Sequence, residues 1–369
     1  MNQLFRWDQM GLFLLALAAG ILPFAVPEIC AAALREGLTL CSGPLLLSLF
    51  PFLVVSRLLI QCPESDLLAL PFRLAAWGIG IRTPCAARVL CIGFLGGFAP
   101  AASAAAQAVR TGQLTAEEAD ALLPACICSG PSFVVLTVGQ SLLGSAELGV
   151  LLFASQITAN YLTAALLNRF AGMHSVKPGS AAPASPAPPR LDEILADAAI
   201  TYCKLCGFIL FFRMLAAGAG ALLPAGAGTL CSILLEVCSG CDLASRTGRW
   251  GSLLCCAALS VQGLSVLLQV RTICPPEMTL RPLYRARMLH LPLSLALFYL
   301  LLPGGEADVF STLPARILLM RRVPPDCALL VFVVCCMAAC TLRSGIRQVE
   351  QKQMARNAGG CCINSKTLL

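Results

Sequence analysis

The chain has 369 residues, 58% of them hydrophobic and 12% charged, with a mean hydropathy of +0.81. Soluble domains carry about twice that charged fraction, so the composition excludes an ordinary water-soluble globule and points to an integral membrane protein. The formal net charge of +7 is scattered with no basic stripe among aromatics, which argues against a nucleic-acid partner, and most of the 21 Cys lie in apolar runs, which argues against a disulfide scaffold.

A bilayer crossing needs roughly 20 mainly apolar residues. In chain order the apolar stretches cover residues 10–26, 40–60, 86–109, 121–143, 147–167, 200–222, 229–241, 251–270, 286–302 and 328–342. They predict an all-α polytopic membrane protein with about 8–10 transmembrane or re-entrant helices; the stretch 229–241 is short for a full crossing. The first stretch follows a single Arg6 and runs into Pro23, Pro27 and Glu28 instead of a small-residue cleavage site, so residues 1–37 read as a retained N-terminal membrane helix and not as a signal peptide.

Residues 38–172 form a first membrane half. In it, "RTGQLTAEEADALL" (110–123) is a tight polar loop opening a helix. Thr115 is the N-cap and Glu118, three residues on, its capping-box partner; Glu117 and Glu118 suit the positive helix end and are assigned no chemistry. The next stretch, "ACICSGPSFVVLTVGQ" (125–140), carries a helix breaker in its middle. Pro131 lacks an N–H and Gly130 adds backbone freedom, so Ser129-Gly130-Pro131 predicts an interruption. At membrane depth the freed backbone groups need protein or a water-lined cavity. A half-helix starting at Pro131 would aim its positive end at that cavity, with Ser132 supplying a hydroxyl, an arrangement suited to an anion. A plain proline kink at a helix contact is the alternative.

Residues 173–190, "MHSVKPGSAAPASPAPPR", are a Pro/Ala/Ser linker. Residues 191–303 form a second membrane half, and 304–369 a C-terminal helix and basic tail, whose Arg343, Arg347, Lys352 and Arg356 suggest a cytoplasmic C-terminus. In the second half Cys203/Cys206 and Cys238/Cys241 have CxxC spacing but belong to apolar helices, so they read as packing thiols and not as metal ligands. Glu236, inside "LLEVCSGCD", is a carboxylate in an apolar run: a protonation site, cation ligand or substrate contact, or else a helix-end group near the interface. Gln262 and Gln269 share a helix face if the helix continues; with Gln140 and Gln156 they either line a site or bond between helices.

The halves align. With Gly130 placed on Gly263, "SGPSFVVLTV" (129–138) lies over "QGLSVLLQV" (262–270), an offset of 133 residues. Each is preceded by a further glycine break, "GFLGGFAP" (93–100) and "EVCSGCD" (236–242), and followed by one long helix. Paired halves with interrupted helices are the sequence pointer to a secondary transporter. No HExxH, Walker or Gly-x-Ser-x-Gly motif occurs, and with His174 and His290 the only His, neither an enzyme nor a cofactor or metal is predicted.

These segments resemble the YlbJ-like sporulation integral membrane proteins. The likeness rests on "IGFLGGFAPAASAAAQAVRTGQLTAEEADALLPACICSGPSFVVLTVGQSLLGSAELGVLLFASQ" (92–156), "LLEVCSG" (234–240), "GLSVLLQV" (263–270) and the basic, His-bearing helix "YRARMLHLPLSLALFYLLL" (284–302). It implies two nucleoside-recognition (Gate) domains and a role in endospore formation, moving dipicolinic acid across the outer forespore membrane. The chain departs from the family at Gly97-Phe98-Ala99-Pro100 and Ser103, where Gly-Tyr-Pro and a Lys are usual. It departs again at Ile127-Cys128, in place of an Asn pair, at Gln156, in place of a His, and at Cys238-Ser239, in place of Thr-Asn.

The resulting expectation is a transporter of a small anionic solute, in two related halves with broken helices, in a bacterial cell membrane or the outer forespore membrane. Its expected partners are that solute and membrane lipid, and a homo-oligomer is compatible with it. The expected lining residues are Gly97, Ser129, Gly130, Pro131, Ser132, Glu236, Ser239, Gly240, Gly263, Ser265 and Gln269. The alternatives are a non-transporting scaffold for sporulation or envelope assembly, and a Gate-domain transporter of another small solute such as a nucleoside.

Overall fold

The computed structural model describes residues 2–171 and 190–302. The linker up to Pro189, the apolar stretch 328–342 and the basic tail lie outside the described residues. The described residues are helical, with no strand among them. The helices are α1 (Asn2–Ala25), α2 (Pro27–Ser42), α3 (Pro44–Gln61), α4 (Leu70–Gly78), α5 (Pro84–Gly96), α6 (Phe98–Arg110), α7 (Ala116–Cys126), a π-helix (Ser132–Leu142), α8 (Ala146–Phe170), α9 (Leu191–Leu222), α10 (Ala225–Leu235), α11 (Val237–Ser245), α12 (Gly251–Val261), α13 (Gly263–Ile273) and α14 (Arg281–Leu301).

Local chemistry sets many of these boundaries. Pro27, Pro44 and Pro84 open α2, α3 and α5, where a missing N–H costs nothing. Thr115 Oγ1 accepts from the Glu118 amide at 3.1 Å, and a Glu118 carboxylate oxygen accepts from the Thr115 amide at 3.0 Å, completing the capping box of α7. Glu118 also accepts from the Thr83 hydroxyl, tying the start of α5 to the start of α7.

Four apolar segments, Pro27–Leu47, Ala146–Phe170, Leu191–Leu222 and Gly248–Ile273, are long and apolar enough to cross a bilayer. Large apolar side chains such as Phe24, Leu74, Phe170 and Leu300 stand exposed on the outside, which lipid tolerates and water does not. The chain is an integral membrane protein.

The stretches 86–109, 121–143, 229–241 and 251–270 each hold two short helices instead of one. The joints are Gly97, residues 127–130, Glu236 and Gln262. A helix of 13 residues rises about 20 Å, less than the roughly 30 Å of hydrocarbon, so neither α5 nor α6 alone is long enough to cross.

Packing follows residue size. Ala99, Ala101, Ala102, Ala104, Ala105, Ala106 and Ala108 of α6 are all buried, so neighbouring backbones approach α6 closely on several sides. Gly139 of the π-helix and Gly149 of α8 meet backbone to backbone: a Cβ on Gly139 would lie 2.4 Å from the Gly149 Cα. The helices on either side of the linker interlock. α14 lies against α7, α8 and α12, α13 against α6, and α9 against α2, α3 and α10. Asp120 of α7 fastens this arrangement: its carboxylate accepts from the Thr279 amide (2.8 Å), the Thr279 hydroxyl (2.6 Å) and the Leu280 amide (3.1 Å), at the entry to α14.

Candidate functional site

The four joints come together in pairs. Gly97 has φ +82°, and a Cβ there would lie 2.6 Å from the Gly130 amide nitrogen; a Cβ on Gly130 would lie 3.3 Å from the Gly96 carbonyl oxygen. Gly263 has φ +69°, and its Cβ would lie 2.9 Å from the Leu235 carbonyl oxygen and 3.0 Å from the Glu236 nitrogen. Within each pair backbone touches backbone, which only glycine permits at these distances. One contact links the pairs: Gln262 Nε2 lies 3.5 Å from Ser129 Oγ, both residues being buried. Gln262 is itself left-handed, with φ +66°, and its amide donates to the Leu259 carbonyl at 2.9 Å.

The joints are therefore closely packed. Glu236 is buried, and its carboxylate turns onto the helix it opens. It accepts from the Cys238 amide (2.8 Å), the Ser239 amide (2.7 Å) and the Ser239 hydroxyl (2.8 Å), making it the N-cap of α11. Gly240 allows the close crossing of α11 on α10, where its Cβ would meet the Ile233 Cα at 2.8 Å. Pro131 and Gly130 are half-buried, and Ser132 is exposed on the surface of the π-helix. Ser265 Oγ accepts from Gln269 Nε2 at 2.9 Å, and both are buried.

A cavity of about 300 Å³ lies further along, between α3, α6, α9 and α13. Among the expected lining residues, Gln269 reaches it. Buried Arg57, Ser103 and Gln269 supply its inner wall, and exposed Arg110 and Lys204 its outer part. Arg57 Nη1 pairs with Asp197 at 2.7 Å and Nη2 lies 3.4 Å from Thr201 Oγ1; Arg110 Nη2 donates to the Ile273 carbonyl at 3.4 Å. Three cations thus face one carboxylate. Ser103 Oγ, Gln269 Oε1 and Arg57 Nε are buried with no partner among the described residues, so the wall keeps hydrogen-bonding capacity. Such a volume suits a small solute, and such a charge balance suits an anion.

A second polar cluster is fully internal. On α8, Gln156 Nε2 donates to Ser260 Oγ at 3.0 Å and Asn160 Nδ2 to the Ile127 carbonyl at 3.3 Å. On α14, His290 Nε2 lies 3.2 Å from the Gln156 carbonyl, and Ser294 meets Ser260 through their hydroxyls. Arg287, also buried, donates from Nη1 to the Ser260 carbonyl at 3.3 Å and from Nη2 to the Ile127 carbonyl. Among the described residues it forms no ion pair.

Arg57, Asp197, Lys204 and Arg287 are not among the expected lining residues, although a signal in the sequence marks them. Each is ionisable and lies within or against an apolar stretch, the criterion that singled out Glu236. Among the described residues no group of three or more His, Cys, Asp or Glu is placed to hold a metal. Comparison of the chain with protein-family models, curated proteins and solved structures gives no match.

Proposed function

We propose that this protein is a membrane transporter of a small anionic solute. The reading takes it as two related halves, each with two interrupted helices: α5/α6 beside α7/π-helix, and α10/α11 beside α12/α13. The observation that carries it is the cavity, whose three cations, single carboxylate and unpartnered buried donors suit a carboxylate-bearing solute. The interrupted helices give secondary support, because short helices meeting at depth are how transporters bring polar backbone to a protected site. The Ser129–Gln262 contact joins residues 133 apart, the offset at which the halves align.

Dipicolinic acid, crossing the outer forespore membrane during sporulation, is the candidate solute, on the strength of the sequence resemblance. The test is uptake of dipicolinate and other small mono- and dicarboxylates into proteoliposomes. Arg57→Gln removes the innermost charge and is expected to lower uptake at subsaturating solute roughly tenfold or more. Uptake of anions other than dipicolinate alone would keep the transporter reading and change the solute. Absence of flux for every anion, together with a sporulation defect in a deletion strain, would identify a scaffold instead.

A further inference from the structure

We propose that Arg287 is a resident cation shared by the two interrupted helices α7 and α12, filling a carbonyl-lined site that would otherwise call for a free monovalent cation.

The argument starts from what a helix leaves behind where it stops. Its last carbonyls have no intrahelical partner, and its C-terminal end carries a partial charge of about −0.5. At membrane depth those carbonyls need a donor or a cation. Ile127 is the C-terminal cap of α7 and Ser260 lies in the last turn of α12. Both of their carbonyls receive the Arg287 guanidinium, one from each terminal nitrogen. Two helix ends at about −0.5 each amount to roughly one negative charge, enough to balance one guanidinium. This explains how a buried Arg stands without a carboxylate partner among the described residues, a situation that is otherwise strongly unfavourable. A planar fork with fixed donors reaches two oxygens at once, which a point cation on a flexible stem does less well.

The pairing is selective. Position 260 less position 127 is 133, the separation of Gln262 from Ser129 and the offset at which the halves align. Arg287 therefore bonds equivalent carbonyls of the two halves from a helix that belongs to only one of them. Asn160 Nδ2 adds a donor to the same Ile127 carbonyl, while Asn160 Oδ1 and Arg287 Nε are buried without a partner among the described residues, completing a polar chamber around the cation. Where transporters leave such carbonyl ends open they hold Na⁺ or H⁺. Here the charge is tethered, so solute movement is not driven by a cation at this place.

Thermal unfolding in detergent tests this without reference to any solute. Arg287→Lys keeps a cation in altered shape; Arg287→Met keeps bulk without charge or donors. The expectation is that the Met variant unfolds roughly 5–10 °C below the Lys variant. Equal stability, or a more stable Met variant, would show that Arg287 only fills space and would overturn the proposal. Arg287→Ala opens the site. Low millimolar guanidinium chloride is expected to raise its unfolding temperature while leaving wild type unchanged. Tetramethylammonium, a cation with no N–H, is expected to do nothing. Identical responses to both ions would sink the idea, whether or not the protein proves to transport an anion.

Discussion

At the scale of single residues, burial and hydrogen bonding bear on readings that sequence leaves open. Glu236 is the clearest case. Its two carboxylate oxygens take two backbone amides and a hydroxyl at the start of α11, so its charge is spent on a helix end. Glu236→Gln removes the charge and places an amide donor against backbone donors. The expected outcome is a loss of stability of roughly 1–3 kcal/mol in chemical or thermal unfolding, with the proposed transport, measured per folded molecule, preserved. Unchanged stability with a lost or pH-shifted flux would instead assign the carboxylate a part in the proposed transport. Arg57 shows the converse: a charge whose guanidinium is only partly used, with Nε buried and unpartnered at a cavity wall.

At the scale of elements, the interruptions divide into those that sequence announces and those that tertiary contact creates. Gly97 is announced: it is the second of two glycines and has φ +82° with ψ −163°, which side chains other than glycine rarely adopt. Gly97→Ala adds backbone strain of roughly 1–3 kcal/mol and drives a methyl group to 2.6 Å from the Gly130 nitrogen. Gly144→Ala, at φ +73° with nothing within 4 Å, supplies the strain alone. Gly97→Ala is expected to unfold at a clearly lower temperature than Gly144→Ala; equal losses would mean that the joint has room to spare. In the second half, "EVCSGCD" suggests a break at its glycine, whereas the helix restarts at Glu236, four residues earlier. A capping carboxylate sets that boundary, and Gly240 serves close packing on Ile233. Gln262 carries no breaker chemistry, and its left-handed conformation is a product of the fold. The cavity is less legible still, because its wall draws on α3, α6, α9 and α13, which no local pattern joins. What sequence does disclose is the glycine and proline punctuation and the Thr115 capping box.

At the scale of the molecule, the parts before and after the linker form one packed body. α14 lies on α7 and α8, α13 on α6, and Asp120 caps the entry to α14. Fragments ending at residue 171 and beginning at residue 190, expressed together, are therefore expected to copurify in mild detergent. Fragments that elute separately would show that the linker itself holds the halves in place.

The tethered guanidinium has a consequence in time. Arg287 is made 160 residues after the Ile127 carbonyl it bonds. At about 5–20 residues per second, synthesis of that interval takes on the order of ten seconds. Throughout it the end of α7 has entered the membrane ahead of its cation, and the α12 end follows before the cation arrives. Both wait on water, lipid headgroups or the insertion machinery for donors. A ribosome stalled short of α14 thus holds a nascent chain in which both carbonyl ends are made and the guanidinium that bonds them is missing.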